Sequence, residues 1–174
     1  AEGVTYSKES YTVHVKVVDN GEGKLVATVT EADQARKFTN TYKAAPTSAT
    51  IKAKKVLNGK ELAADAYTFE LKEKDAVVAE AKNAASGEVV FNVNYTEAGE
   101  HTYTITEKSG TEAGVTYSTE SYTVKVTVVD NGQGQLVATV ENAEADRVFT
   151  NTYKAASTSA TIKAKKVLNG KELA

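Results

Sequence analysis

Apolar and polar side chains alternate with a period of two residues through most of the chain, which predicts β-strands. In YTVKVTVV, at 122–129, tyrosine and three valines share one face. The turn sequence DNGQG follows at 130–134 and predicts a hairpin. Seven segments within 46–156 show such patterning or an enrichment in β-branched and aromatic residues: ATIKAKKVL, AYTFELKEK, EVVFNVNY, EHTYTITEK, YTVKVTVV, QLVATV and RVFTNTY. They predict an all-β sandwich whose strands are half-buried.

The chain is internally repetitive. Residues 1–63 align without gaps to residues 112–174, at an offset of 111 and with 14 mismatches. The repeating unit is therefore about 110 residues, the size of an immunoglobulin-like β-sandwich, in tandem. The single proline, Pro46 in AAPTSAT, indicates a linker. This frame predicts three parts: the C-terminal part of a preceding repeat at 1–45, a complete module at 46–156, and the first strand of a following repeat at 157–174.

Three strands place a polar residue on the face that is otherwise apolar. These residues are Lys55 in ATIKAKKVL, Glu107 in EHTYTITEK and Asn151 in RVFTNTY. Each has a simpler explanation, because a lysine can extend to water, a glutamate near a turn can be solvated, and an asparagine can bond the backbone. Since an unpartnered buried charge is costly, their coincidence in one small module favours a common cluster.

Such a cluster would have a specific chemistry. Burial disfavours the charged forms of both the amine and the carboxyl group, so Lys55 can act as a neutral nucleophile and Glu107 can carry a proton. Glu107 would then hydrogen-bond the side-chain carbonyl of Asn151 and move protons from the amine to the leaving ammonia. The expected product is an intramolecular isopeptide bond between Lys55 Nζ and Asn151 Cγ, formed once per molecule, with proximity supplying most of the rate.

Four stretches, KVLNG, YTITE, GVTYSTESYTVKVTV and FTNTY, resemble the streptococcal pilin isopeptide linkage domains. The resemblance spans the whole 46–156 module and implies the CnaB-type, immunoglobulin-like fold of the collagen-adhesin B-type repeats. It also implies that Lys55 bonds Asn151 with the assistance of Glu107. The function implied is that of a structural stalk or shaft repeat in a Gram-positive pilin or fibrillar adhesin. That parent protein would be extracellular and anchored to the cell wall.

The two partial repeats carry only fragments of the cluster. Asn40 corresponds to Asn151 but has no lysine partner, and Lys166 corresponds to Lys55 but has neither the asparagine nor the glutamate. We therefore expect no intrachain bond at either residue. The partial repeats should fray or pair their strands with those of neighbouring chains, and a covalent link between chains is a further alternative. Neighbouring repeats of the same protein are the expected partners.

Composition excludes several other classes of partner. The formal net charge is −2 and neither sign forms a long block, so a nucleic acid is not expected as a partner. No apolar run approaches the roughly 20 residues of a membrane span, so we expect no membrane insertion. The chain has no cysteine, which rules out disulfides and thiolate metal sites. A stalk protein of this composition needs another way to hold itself together.

Three other interpretations, a turnover enzyme, a metal-binding protein and a ligand-binding module, have weaker support in the sequence. His14 and His101 lie on predicted strands without a serine, cysteine or metal-ligand partner at a telling spacing, so we expect no turnover enzyme. The acidic turns DNGEG and DNGQG lack the ligand count of a calcium loop, and we expect no metal and no cofactor. The alternative function is a ligand-binding adhesin module of the same fold without the bond, because sandwich loops often carry recognition.

Overall fold

β-strands account for all the regular secondary structure in the part of the chain that the computed structural model describes, residues 1–167 and Asn169. Within that part, no helix is long and apolar enough to cross a membrane. The strands are β1 Val4–Thr5, β2 Val15–Asp19, β3 Leu25–Val29, β4 Thr41–Tyr42, β5 Thr47–Asn58, β6 Thr68–Glu73, β7 Ala76–Lys82, β8 Glu88–Tyr95, β9 Gly99–Glu107, β10 Val115–Thr116, β11 Ser121–Asp130, β12 Leu136–Val140 and β13 Val148–Tyr153.

Residues 46–156, the predicted complete module, contain two sheets of four and five strands. One has the strand order β10-β13-β5-β8, and the other has the order β12-β11-β9-β6-β7. The first and last long strands of the module, β5 and β13, are parallel neighbours, whereas β11 and β12 form the antiparallel hairpin that DNGQG predicts. The predicted all-β, immunoglobulin-like sandwich is confirmed.

Strict alternation along the long strands buries one face of each sheet. Along β5 every second residue from Ala49 to Lys55 is buried, and the residues between them are exposed. Burying a large apolar side chain contributes about 1.5–3 kcal/mol. The strand side chains that are almost completely buried include Ile51, Phe69, Leu71, Val89, Phe91, Tyr103, Ile105, Val124, Val126, Val128 and Phe149.

The predicted number of strands was wrong. All seven predicted segments form strands, but the module has two more, β7 and β10. Strand β7 lies at the end of its sheet and pairs only with β6 in the strand order, so most of its side chains are exposed and alternation is weak. Strand β10 is only two residues long and pairs with the end of β13. Neither therefore carries a strong periodic signal.

The chain divides into two compact units, each made of several separate segments. The first contains β1 to β4 and β12, and the second contains β6, β7, β10 and β13. The first unit consists of Ala1–Ile51, Asn92–Tyr103 and Val124–Ala143, and the second of Lys52–Phe91, Thr104–Thr123 and Glu144–Ala174. The boundaries after residues 45 and 156 stay a prediction.

The N-terminal partial repeat keeps the local pairing of the complete module without its burial. Strand β1 pairs with β4, and β2 pairs with β3 in the register that β11 and β12 also use. The side chains of Tyr11, Val13, Val15 and Val17, which the alternation assigns to an inward face, are 39–55% exposed. Residues 157–167 are exposed and outside the strands, and their assignment to a following repeat stays a prediction.

Candidate functional site

The register between β5 and β13 positions two of the three candidate residues. Phe149 lies opposite Lys55, and Asn151 lies opposite Leu57. Because strand side chains alternate between faces, Lys55 and Asn151 point to the same, buried face and are diagonal neighbours across the parallel pair. Both residues are at most 1% exposed.

Glu107, the last residue of β9, brings a carboxylate between the other two side chains. Lys55 Nζ donates to Glu107 Oε2 over 2.7 Å, and Asn151 Nδ2 donates to Glu107 Oε1 over 2.6 Å. The side chains of Lys55 and Glu107 are fully buried. The structure therefore brings together the three inward polar residues, with one carboxylate bridging the amine and the amide.

Aromatic rings surround the amine. Lys55 Nζ lies 4.6 Å from the ring centroid of Tyr67 and 6.0 Å from that of Phe69. Burial lowers the pKa of the Lys55 amine below its ordinary value, and this effect exceeds the opposing hydrogen bond and charge of Glu107. The lowered pKa makes the neutral, nucleophilic form of the amine easier to reach by transfer of a proton to Glu107.

The Asn151 carbonyl has a partner that the sequence did not reveal. The backbone N–H of Ser118 donates to Asn151 Oδ1 over 2.7 Å. The expected hydrogen bond from a protonated Glu107 to this carbonyl is absent, because Asn151 instead directs its NH₂ group at the carboxylate. Side-chain patterning carries no signal for this contact, since the donor is a backbone group that every residue except proline has.

The same backbone donor recurs in the N-terminal partial repeat. Ser7 N–H donates to Asn40 Oδ1 over 2.9 Å, and Asn40 is exposed. Lys166 is also exposed and lies outside the strands. In the lysine cluster of β5, Lys52 points outward to Glu88 over 3.0 Å, and Lys54 is exposed. Only Lys55 of these lysines is buried beside an amide and a carboxylate.

The chemistry available at this cluster is proton transfer and amide exchange. The amine, the carboxylate and the amide form one continuous hydrogen-bonded chain shielded from water, and the amide oxygen has a separate backbone donor. Among the described residues, no group of three or more histidine, cysteine, aspartate and glutamate side chains could hold a metal ion.

Comparison with known families identifies the domain type. The family FctA, described as the Spy0128-like isopeptide containing domain, matches residues 1–43 and 51–154. The chain belongs to this family. The resemblance to streptococcal pilin isopeptide domains is thereby confirmed, and the match extends to the N-terminal partial repeat as well as to the complete module.

Two solved structures of this kind are similar to the chain. The major pilin protein (T-13) of Streptococcus pyogenes is 18% identical with a TM-score of 0.42, over 64% of this chain and 55% of that chain. A variant of the Streptococcus pyogenes major pilin is 18% identical with a TM-score of 0.36, over 61% of this chain and 50% of that chain. The chain thus spans about half the length of these pilins. No curated protein matches it.

Proposed function

We propose that the 46–156 module is a structural stalk repeat held closed by an autocatalytic isopeptide bond between Lys55 and Asn151. The observation that carries the proposal is the Glu107 carboxylate, which accepts hydrogen bonds from both reacting groups at 2.6–2.7 Å in a buried site. Membership of a family described as isopeptide-containing supports it. Glu107 is the catalytic residue, and the module performs a single turnover upon itself.

The reaction begins with a proton transfer. The Lys55 ammonium gives a proton to Glu107 Oε2, a step favoured by the lowered pKa of the buried amine. The neutral Nζ then attacks Asn151 Cγ. Glu107 returns its proton to Asn151 Nδ2 and receives one from Nζ, so that the Cγ–Nδ2 bond breaks as ammonia leaves. The new Nζ–Cγ amide needs no oxidant or cofactor.

Negative charge develops on Asn151 Oδ1 during the attack. The Ser118 N–H already points at this oxygen over 2.7 Å and can stabilise the charge as a pre-oriented donor. Tyr67 and Phe69 exclude water from the amine. These contacts also orient the reacting groups before the reaction, which is the source of large intramolecular rate gains.

A bond at this position suits a stalk. It would join the first and last long strands of the module and close a loop of about 95 residues, worth about 4–5 kcal/mol in the loop-entropy picture used for disulfides. Unlike a disulfide it would survive reduction, which suits a chain without cysteine. We further propose that the parent protein lies on a Gram-positive cell surface, in an array with neighbouring repeats, as the resemblance to pilin isopeptide domains implies.

Intact mass under denaturing conditions tests the bond. We expect the chain to weigh about 17 Da less than its sequence mass, the loss of one ammonia, and Glu107→Ala to restore the full mass of that variant. A tryptic digest should contain a branched peptide joining Lys55 to Asn151.

Asn40→Ala is the matched control, since it changes the equivalent asparagine in the partial repeat and should keep the ammonia loss. Asn151→Ala should abolish that loss. An unshifted wild-type mass would reduce the three residues to a hydrogen-bonded cluster, and the adhesin module without the bond would become the preferred function.

A further inference from the structure

The end of the N-terminal partial repeat contacts the hairpin turn of the complete module. The Tyr42 hydroxyl donates to Asp130 Oδ1 over 2.8 Å and accepts from the Gly134 N–H over 3.1 Å. The hydrogen bond to Asp130 raises the pKa of Tyr42 above its usual value, so the donating, neutral form of the phenol is favoured.

The backbone continues this contact beyond the tyrosine. Ala45 N–H donates to the Gly134 carbonyl over 2.7 Å, and Leu136 N–H donates to the Ala45 carbonyl over 3.0 Å. These two bonds form an isolated parallel bridge between Ala45 and Gln135. The segment that links the two repeats is therefore fixed to the turn immediately before Pro46 introduces β5.

The N-terminal residues Glu2 and Gly3 also lie against the turn, too close to it for any side chain at Gly134. A Cβ atom there would lie 2.7 Å from the carbonyl carbon of Glu2 and 2.8 Å from the nitrogen of Gly3. Real Cβ atoms do not approach backbone atoms this closely. The glycine thus permits the N-terminal segment to lie directly on the turn.

The equivalent turn in the N-terminal partial repeat shows what the contact adds. The turn at Asp19 to Leu25 has nearly the same sequence, and Asp19 Oδ1 accepts from Gly21 N–H at 2.8 Å, as Asp130 Oδ1 does from Gly132 N–H. Nothing lies within 4 Å of a Cβ atom built on Gly23. Leu25 is 73% exposed, whereas its equivalent Leu136 is 7% exposed. The turn therefore forms without a docked segment, and the contacts of Tyr42 and Ala45 are additional.

We propose that the turn from Asp130 to Leu136 is a docking site for the end of the preceding repeat, the segment Tyr42–Ala45, and that this contact is the joint between consecutive repeats. The equivalent segment of the second copy, TYKA at 152–155 followed by Ala156, is identical in sequence, as is most of the turn. Each repeat thus carries both halves, a TYKAA end and a DNGxG turn, and the joint can recur along an array.

The joint is independent of the isopeptide bond. None of its residues belongs to the Lys55, Glu107 and Asn151 cluster, and it fixes one repeat to the next, whereas the bond closes a single repeat. The two proposals can therefore fail separately.

Amide hydrogen exchange by NMR on the whole chain tests the joint. Tyr42→Phe removes only the hydroxyl, and Gly134→Ala adds a methyl group where the N-terminal segment lies. We expect both variants to speed exchange at the Leu136 amide by about tenfold or more, because its acceptor is the Ala45 carbonyl of the docked segment.

The repeat supplies matched controls. Gly23 and Gly134 both have positive φ, 74° and 83°, so Gly23→Ala carries the same backbone strain without the obstruction. Tyr153→Phe makes the equivalent change at the end of the second copy. Leu136 exchange within about twofold of wild type in both controls is expected. Unchanged exchange in Tyr42→Phe and Gly134→Ala, or equal acceleration in the controls, would overturn the joint, while the intact masses report separately on the isopeptide bond.

Discussion

Asn151 lies between Phe149 and Tyr153 on one face of β13, where a buried amide without partners would cost about 1–3 kcal/mol. Its NH₂ group donates to Glu107 and its carbonyl accepts from Ser118, so the amide has a partner at both ends. The partners are the groups that an amide exchange needs: a proton carrier on the leaving nitrogen and a donor on the oxygen. At Asn151, the contacts that satisfy a buried amide are therefore the same contacts that the proposed reaction would use.

Side-chain alternation was sufficient to select Lys55, Glu107 and Asn151. The side-chain period of two residues is strict, so a charged or amide side chain on the otherwise apolar face is easily recognised. Ser118 could not be selected in this way. It contributes a backbone N–H group, and its position depends on how the segment between β10 and β11 returns toward β13. Contacts made by the backbone depend on three-dimensional placement that residue type does not encode.

Removing one member of the buried ion pair should cost more than removing both. Lys55→Met removes the amine needed for the proposed isopeptide bond and leaves the Glu107 carboxyl buried without its ion-pair partner. The double variant Lys55→Met with Glu107→Gln also lacks the bond but has no unpaired charge. We expect the double variant to be about 1–3 kcal/mol more stable than the single variant in urea unfolding.

Lys54→Met is the control for this comparison, because Lys54 is the exposed neighbour on β5. Its effect on the free energy of unfolding should stay within about 0.5 kcal/mol. A double variant no more stable than Lys55→Met would show that the Glu107 carboxyl is not destabilised by the loss of its partner.

At the scale of the strand, alternation of apolar and polar residues predicts a strand well only where one face of that strand is buried. The long strands β5, β9 and β11 each have one buried face, and each was predicted from alternation. Edge strand β7 has mostly exposed side chains, so its sequence does not alternate between apolar and polar residues and the strand could not be predicted. Alternation also cannot distinguish a buried strand from an exposed one of the same sequence, as β2 shows: it repeats much of β11 yet is exposed throughout.

Because the two hairpins have nearly the same sequence but different burial, comparing them tests the effect of burial alone. The β2–β3 hairpin and the β11–β12 hairpin have the same register, but only the second has a buried face. Since an isolated two-stranded hairpin is marginally stable, we expect the amides of β2–β3 to be at least about a hundredfold less protected from exchange than their equivalents in β11–β12.

NMR hydrogen exchange in a dilute sample measures both hairpins in one experiment. Equal protection would contradict the prediction. Protection of β2–β3 that rises with protein concentration would instead indicate strand pairing between chains, the proposed partnership of the partial repeats.

At the scale of the whole molecule, the isopeptide bond and the repeat joint would act on different distances along a stalk. The bond would keep the residues between Lys55 and Asn151 from extending under load. The joint would hold the linker before Pro46 on the next repeat, so that load reaches β5 through a fixed attachment. Because four hydrogen bonds hold the joint and a covalent bond would hold the module, the joint should open first.

Single-molecule pulling from the two chain termini tests this order of events. With the bond in place, the loop of about 95 residues cannot extend, so the fully stretched wild type should be shorter than Glu107→Ala by about 320 Å at roughly 3.4 Å per residue. Asn40→Ala should extend like the wild type, since it leaves the proposed bond intact. Equal contour lengths for the wild type and Glu107→Ala would contradict the covalent closure. We also expect an opening of the joint at low force, before the contour length reaches its final value. If Tyr42→Phe lowers the force of this opening without changing the final contour length, the joint lies outside the loop that the proposed bond closes.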